Sequence, residues 1–258
     1  MSVDLNAFAK SIEQEGYCIV EDVLSPSFIT QTKKELEDAI LKEVAFHRTK
    51  DYDDYGMVLL CALYGGNFLE LFNNKTLISC IETAIGEGSI VYAYTSSSMP
   101  PNKTNYSRRI HVDSPRIIPG YMTNLGVTIA LDDFTEENGA TYFLPQSHTM
   151  ATPPDEDYFY KHAKRFIAKA GSVWFFNARI WHAGGDNKTD QWRHALTLNM
   201  CRPYMKQRID IPRAMSNMNL ANVSEKTLQK LGFLAQTPAN YEEYYVSPEK
   251  RKYRQKYE

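Results

Sequence analysis

Gly171-Ser172-Val173-Trp174-Phe175-Phe176-Asn177-Ala178-Arg179-Ile180-Trp181-His182-Ala183-Gly184-Gly185-Asp186-Asn187, followed by Gln191-Trp192-Arg193-His194-Ala195-Leu196-Thr197-Leu198-Asn199, carries the pattern that decides the fold. An apolar strand runs into a histidine, a Gly-Gly-Asp-Asn turn follows, and a second strand alternates small and large side chains. Arg193 opens that second strand, 193 − 182 = 11 residues past His182. Ala195, Thr197, Asn199 and Cys201 share its face and are small or polar, whereas Leu196, Leu198 and Met200 on the other face are large and apolar. A hairpin of this kind brings Arg193 near His182 and leaves room for a ligand beside it. A surface salt bridge from Arg193 to Asp186 or Asp190 is the competing reading.

Upstream, Arg109-Ile110-His111-Val112-Asp113-Ser114-Pro115-Arg116 supplies a His and an Asp at i and i+2. Side chains alternate along a strand, so His111 and Asp113 project to one face about 6 to 7 Å apart at the backbone, close enough to grip one ion. With His182 they form two imidazoles and one carboxylate, the donor set of a facial triad that leaves coordination positions open on a divalent metal. A guanidinium beside such a centre offers a bidentate grip on a carboxylate. Arg109 shares the parity of the ligand pair and either enters the cavity to meet substrate or pairs outside with Glu136 or Glu137; Arg116 stands in the same position.

The motif His111-Val112-Asp113, the segment Leu131-Asp132-Asp133-Phe134-Thr135-Glu136-Glu137-Asn138-Gly139-Ala140 leading to Leu144-Pro145-Gln146-Ser147-His148, and the His182 to Arg193 hairpin together resemble the phytanoyl-CoA dioxygenase family. The opening Gly16-Tyr17-Cys18-Ile19-Val20-Glu21-Asp22-Val23-Leu24-Ser25 resembles that family's usual start. The resemblance spans about residues 5 to 205. It implies a double-stranded β-helix and dependence on Fe(II), 2-oxoglutarate and O2, with His111, Asp113 and His182 as metal ligands and Arg193 on the cosubstrate. Gln146 departs from the family's Pro-Gly-Ser-His, a structural turn rather than a chemical group. Halogenating relatives replace the metal-binding carboxylate with Gly or Ala, so Asp113 points to hydroxylation, or another oxidation such as desaturation or rearrangement, of an unactivated C–H bond with release of succinate and CO2.

The chain's 258 residues, 43% hydrophobic, suit a single domain: N-terminal helices over 1–88, a barrel core over about 89–205 and a C-terminal extension over 206–258. Strands are expected at 17–20, 89–96, 107–113, 126–132, 141–144, 171–176, 180–183 and 193–202, separated by Gly, Pro and Asn turns. That is a mainly β architecture with flanking helices, a jelly roll of the cupin-like kind. Leu5, Phe8, Ala9 and Ile12 before Gly16 mark a first helix; Ser25-Pro26 starts a second with Phe28, Ile29, Leu36, Ile40 and Val44 buried; Leu77, Ile78, Ile81, Ala84 and Ile85 before Gly86 give a third. Another is expected over 224–231, closed by Gly232. Segment 51–66 either lines the entrance or packs on the barrel. Segment 151–169 lacks periodicity and reads as a lid or binding loop, with Tyr158, Phe159 and Tyr160 as substrate contacts or anchors.

The net charge of −2 and a pI of about 6.3 predict no nucleic-acid partner. No run approaches the roughly 18 apolar residues of a membrane span, and no signal peptide is evident, so a cytoplasmic protein without a membrane partner is expected. Cys18, Cys61, Cys80 and Cys201 are scattered in apolar segments as free thiols. The basic tail, Lys250, Arg251, Lys252, Arg254 and Lys256, reads as a solvated face. The expected partner is a small-molecule substrate, with a homodimer left open. Two other functions fit a metal-binding barrel: a hydrolase or isomerase using the ion as a Lewis acid, which gives Arg193 no role, and a non-catalytic cupin-like binding protein.

Overall fold

The computed structural model describes residues 3–47, 54–251 and 253. Eight strands are present among them: β1 (Tyr17–Val20), β2 (Ile90–Ser96), β3 (Asn124–Ala130), β4 (Tyr142–Phe143), β5 (Lys164–Arg165), β6 (Val173–Asn177), β7 (His182–Ala183) and β8 (Ala195–Cys201). They form two antiparallel sheets, a five-stranded one ordered β1-β6-β3-β8-β2 and a three-stranded one ordered β5-β4-β7. The expected jelly roll with flanking helices is the observed architecture.

Register explains why β3 is buried along its whole length. Leu125, Val127 and Ile129 face outward with Leu196, Leu198, Met200, Phe175 and Val173, and this face packs in one core with the helices. Those helices are α1 (Leu5–Gln14), α2 (Pro26–His47), α3 (Asn67–Glu70) and α4 (Lys75–Ile85). Asp4 caps α1, accepting from the Asn6 and Ala7 amides at 3.0 and 3.1 Å, and Gly16 follows it at φ 81°. Ile29, Leu36 and Ile40 of α2 are buried as its stripe required, Phe28 and Val44 half-buried.

The opposite face of the large sheet looks into the barrel and carries small or polar residues on β2, β8 and β3, with Trp174 and Phe176 on β6. Thr95, Thr197 and Thr128 lie side by side across β2, β8 and β3, and Asn199 is paired with Gly126. Gly126 faces Phe176 of β6; a Cβ there would lie 2.1 Å from that ring. The absent side chain lets the Phe176 ring lie flat across β3.

Four expectations need correction or refinement. No strand forms over 107–113: a 3-10 turn, Tyr106–Arg108, is held by Asn105, whose side chain accepts from the Ser107 amide at 3.0 Å. His111 then makes a single antiparallel bridge to His182, and the Asp113 and Ser114 amides both turn to the Ala178 carbonyl, which ends the ladder. The second strand of the hairpin starts at Ala195, so Arg193 precedes it in a separate bridge with Met99. Segment 151–169 is not a bare loop: Asp155 caps α5 (Glu156–His162), and β5 follows. Val58, Leu60, Cys61 and Ala62 are buried in the core, which favours packing over an entrance role for that part of the segment, while Leu59 and Leu63 are exposed; residues 51–53 lie outside the described ones.

The C-terminal extension adds α6 (Ile211–Ala214), α7 (Glu225–Lys230) and α8 (Tyr241–Tyr244). It is locked beside β2 by Lys230, which is wholly buried and reaches Glu82 at 3.0 Å, the Glu87 carbonyl at 2.8 Å and Ser89 Oγ at 3.1 Å. Burial pushes the Lys230 ammonium down to about 8 despite the charge of Glu82 beside it. Of the basic tail, Lys250 and Arg251 are exposed, and Lys252, Arg254 and Lys256 lie outside the described residues. The four cysteines are free. Among the described residues no helix is long and apolar enough to cross a membrane.

Candidate metal centre

The reciprocal bridge between His111 and His182 builds the site. Each amide donates to the other's carbonyl at 2.9 Å, which sets the two imidazoles side by side, their ring centroids 4.2 Å apart. Asp113 Oδ1 stands 3.5 Å from His111 Nε2 and 3.8 Å from His182 Nε2. One donor atom from each of the three residues lies within 4.8 Å of the others, the only such cluster of three among the described residues.

Both rings are oriented by the chain itself. His111 Nδ1 donates to the Arg109 carbonyl at 2.7 Å and His182 Nδ1 to the Ile180 carbonyl at 2.9 Å, each two residues back. With Nδ1 held by a carbonyl, Nε2 is the nitrogen turned toward Asp113 in each ring, the one free to take a metal once any proton on it is displaced. The Asn199 side chain of β8 lies beside Asp113 and helps hold its carboxyl down, while its Oδ1 accepts from Asn124 Nδ2 at 2.8 Å. The donor set, two neutral imidazoles and a carboxylate on one face, fits a borderline divalent ion such as Fe(II).

The three groups titrate differently. Burial drives His182 down to about 4, outweighing the charge of Asp113, so it is neutral at pH 7. Burial also opposes charge on His111, but the hydrogen bond to Asp113, helped by the Arg109 carbonyl and the Asp113 charge, holds it above the ordinary imidazole value. Burial would raise Asp113; the His111 hydrogen bond, the charges of both imidazoles and the Asn199 contact keep it below the usual carboxylate range. The site opens on one side: the His182 side chain is 9% exposed, against 34% for His111 and 25% for Asp113.

Arg193 lies in the barrel at 2% exposure, which excludes the surface salt bridge to Asp186 or Asp190. Its Nη1 donates to the Gly139 carbonyl at 3.2 Å and Nη2 to the Ser97 carbonyl at 3.0 Å, while Nε is buried without a partner. Burial lowers it to about 10, with the charge of Asp132 working the other way. A buried cation whose hydrogen bonds all go to neutral carbonyls is costly, and an orphaned donor adds to that cost. The geometry suits an anionic group arriving from the cavity. Thr197 and Asn199 share one face of β8, and Arg193 lies just before that strand in its bridge with Met99, so one stretch of chain leads from the guanidinium to the residue beside Asp113.

An aromatic wall joins the two ends. Phe134 contacts Phe166 at 4.9 Å between centroids, Phe166 stacks on Trp174 at 5.9 Å, and Trp174 and Phe176 stand edge-on to His182 at 6.1 and 5.3 Å. Asn124, Phe134 and Phe176 were not singled out for the site by the sequence. The small-residue alternation Asn124, Gly126, Thr128 was the available signal for the inner face of β3; nothing local marks Phe134.

The remaining candidates stand outside the ligand set. Arg109 and Arg116 are exposed on either side of the ligand pair, with no ion pair among the described residues, so Arg109 is not tied to Glu136 or Glu137. His148 Nε2 bonds the Glu13 carbonyl at 3.2 Å, a structural tie between its turn and α1. His194 faces away from Arg193, stacked on Trp192 and bonded to Ser98 at 2.9 Å. His162 is exposed and turned back to the Tyr158 carbonyl.

The family model described as phytanoyl-CoA dioxygenase matches residues 12–195. An uncharacterized protein of Mycobacterium tuberculosis is 30% identical over 247 residues, covering 93% of this chain and 90% of the relative. A dioxygenase of Alternaria alternata is 24% identical, covering 88% of this chain and 81% of its own. Among solved structures, the epimerase SnoN in complex with Fe3+, alpha ketoglutarate and nogalamycin RO superposes with a TM-score of 0.60 at 19% identity, over 77% of this chain and 84% of that one, a likeness of fold. The match to residues 12–195, together with a relative similar along nearly the whole length, places this chain in the phytanoyl-CoA dioxygenase family of Fe(II)- and 2-oxoglutarate-dependent oxygenases.

Proposed function

We propose that the protein oxidises an unactivated C–H bond of a small-molecule substrate, with His111, Asp113 and His182 holding Fe(II) and Arg193 binding the distal carboxylate of 2-oxoglutarate. The observation that carries the reading is the convergence of three ligand atoms within 4.8 Å, with both imidazoles already turned Nε2-inward by backbone carbonyls. Bound Fe(II), with 2-oxoglutarate and O2, supplies an oxidant strong enough to cleave a C–H bond, the cosubstrate leaving as succinate and CO2. The protein's part is positioning and exclusion of water. His182 and the aromatic wall keep the inner side of the site dry, Asn199 helps keep the Asp113 carboxylate ionised, and the exposed edges of His111 and Asp113 leave the outer side for substrate.

Arg109 and Arg116, both exposed and close in sequence to the ligand pair, take a polar or anionic group of the substrate. Hydroxylation is the default outcome with Asp113 in place; desaturation, epimerisation or rearrangement needs only a different substrate pose. Dioxygenases of fungi among the relatives, and a structural neighbour solved with nogalamycin RO, support a natural-product substrate. The test is succinate formed from 2-oxoglutarate and O2. It is expected to require added Fe(II), to vanish in His182→Ala and to fall in Arg193→Ala at limiting 2-oxoglutarate. Turnover of a substrate without 2-oxoglutarate, or full activity in Arg193→Ala under that condition, contradicts it and favours Lewis-acid chemistry.

A further inference from the structure

The segment Leu131-Asp132-Asp133-Phe134-Thr135-Glu136-Glu137-Asn138-Gly139-Ala140 supplies none of the three metal ligands, yet it surrounds the Arg193 side chain. The Phe134 ring lies under the guanidinium, its centroid 4.2 Å from Cζ. Gly139, at φ 83° where other residues are strained, offers its carbonyl to Nη1. Asp132, one natural counterion, is turned away: its Oδ2 accepts the His194 amide at 2.7 Å and its Oδ1 the Lys33 ammonium. The segment is itself braced, with Asn138 Oδ1 accepting from the Thr135 amide at 2.8 Å and the Phe134 amide donating to Ala168 at 2.8 Å.

A carboxylate in contact with the guanidinium would have to be displaced by an incoming one. An aromatic face attracts the cation through its quadrupole, strongly when desolvated, and occupies no hydrogen-bonding edge. The ring therefore does a counterion's work without competing for Nε. We propose that Phe134 is a positioning residue for the cosubstrate: by stacking beneath Arg193 it holds the guanidinium flat, dry and edge-open, and so sets the affinity for a dicarboxylate 2-oxoacid. This rests on the role given to Arg193 above. Phe134 is 1% exposed and wedged against Phe166, so its orientation is fixed before any ligand arrives.

The test is direct binding to Ni(II)-loaded protein, which does not turn over, measured by calorimetry with 2-oxoglutarate and with pyruvate, a 2-oxoacid lacking the distal carboxylate. Phe134→Leu is expected to weaken 2-oxoglutarate binding about tenfold, the scale of a desolvated cation–π contact. Replacing Phe134 with 3,4,5-trifluorophenylalanine, which keeps shape and burial but withdraws ring electrons, is expected to weaken it about threefold or more. Pyruvate and Ni(II) affinities stay at wild-type values in both. An unchanged 2-oxoglutarate affinity in the fluorinated protein, or equal weakening for pyruvate, overturns the inference, and the fluorinated protein decides the matter even where Phe134→Leu fails to fold. Arg193→Ala separates the two levels: wild-type affinity there overturns the Arg193 reading as well, whereas a loss there with no change at Phe134 overturns this inference alone.

Discussion

Gly126→Ala tests whether the barrel interior is organised around the Phe176 ring. The added Cβ would meet that ring at 2.1, 2.4 and 2.5 Å, and ordinary contact begins at 3.4 Å, so the ring must retreat by 3.4 − 2.1 = 1.3 Å. It has nowhere easy to go: Trp174 stacks on it at 3.9 Å between centroids and His182 stands at 5.3 Å. Overpacking of this kind costs about 1–3 kcal/mol, and the pinned ring argues for the upper end. The gain from replacing a strand glycine, about 0.5–1 kcal/mol, opposes it and is the smaller term. At about 2–4 °C per kcal/mol for a domain of this size, Tm should fall by about 3 to 8 °C. Because the displaced ring presses on His182, metal affinity should fall in step. Thermal melts with and without Ni(II), together with the Gly126→Ala/Phe176→Leu pair, measure both effects, and the double variant should lose less than the sum of the singles. A Gly126→Ala protein as stable as wild type, with unaltered metal affinity, would refute the argument.

Metal binding should also depend on pH. A metal and a proton compete for His111, and the raised His111 pKa means the proton is held in the empty site above the ordinary value of 6.5. Affinity for Ni(II) should therefore be full above that raised pKa and fall about tenfold per pH unit below it, one proton being displaced per ion; an affinity flat from pH 8 to 6 would contradict the His111–Asp113 coupling. His194 is buried and neutral, its pKa driven down to about 4 by burial, so the unfolded chain binds a proton that the folded one refuses between about 6.5 and 4. Stability should drop through that window as pH falls, by up to about 3 kcal/mol from this residue, and His194→Gln should flatten the drop in urea melts. In the C-terminal lock, Glu82→Ala leaves the buried Lys230 without its ion partner and should cost about 3 kcal/mol, whereas Lys230→Met, which removes the charge and keeps the volume, should cost far less.

The inner and outer faces of β8 were legible in sequence because a strand's period is two and nothing overrides it: Leu196, Leu198 and Met200 went to the helices, and Thr197 and Asn199 to the cavity. The clustering of His111, Asp113 and His182 was likewise readable from donor chemistry and hairpin spacing. The strand assumed for His111 was not, because a single reciprocal bridge does the same job as a ladder and leaves no periodic trace. The helix at Glu156–His162 escaped notice for a related reason: it is short, only Phe159 is buried, and its strongest sign is the cap at Asp155. Phe134 lies within the family-like motif, but stacking beneath an arginine some sixty residues later depends on tertiary approach and leaves no local mark. Arg193 was legible as a buried-site cation but not as one with an orphaned Nε.

The account stands most directly on where one ion and one 2-oxoacid come to rest. An anaerobic crystal structure with Fe(II) and 2-oxoglutarate is predicted to place a single iron on His111 Nε2, His182 Nε2 and an Asp113 oxygen, with the distal carboxylate of the cosubstrate against the Arg193 guanidinium. Iron bound elsewhere, or a 2-oxoglutarate whose distal carboxylate lies away from Arg193, would contradict it.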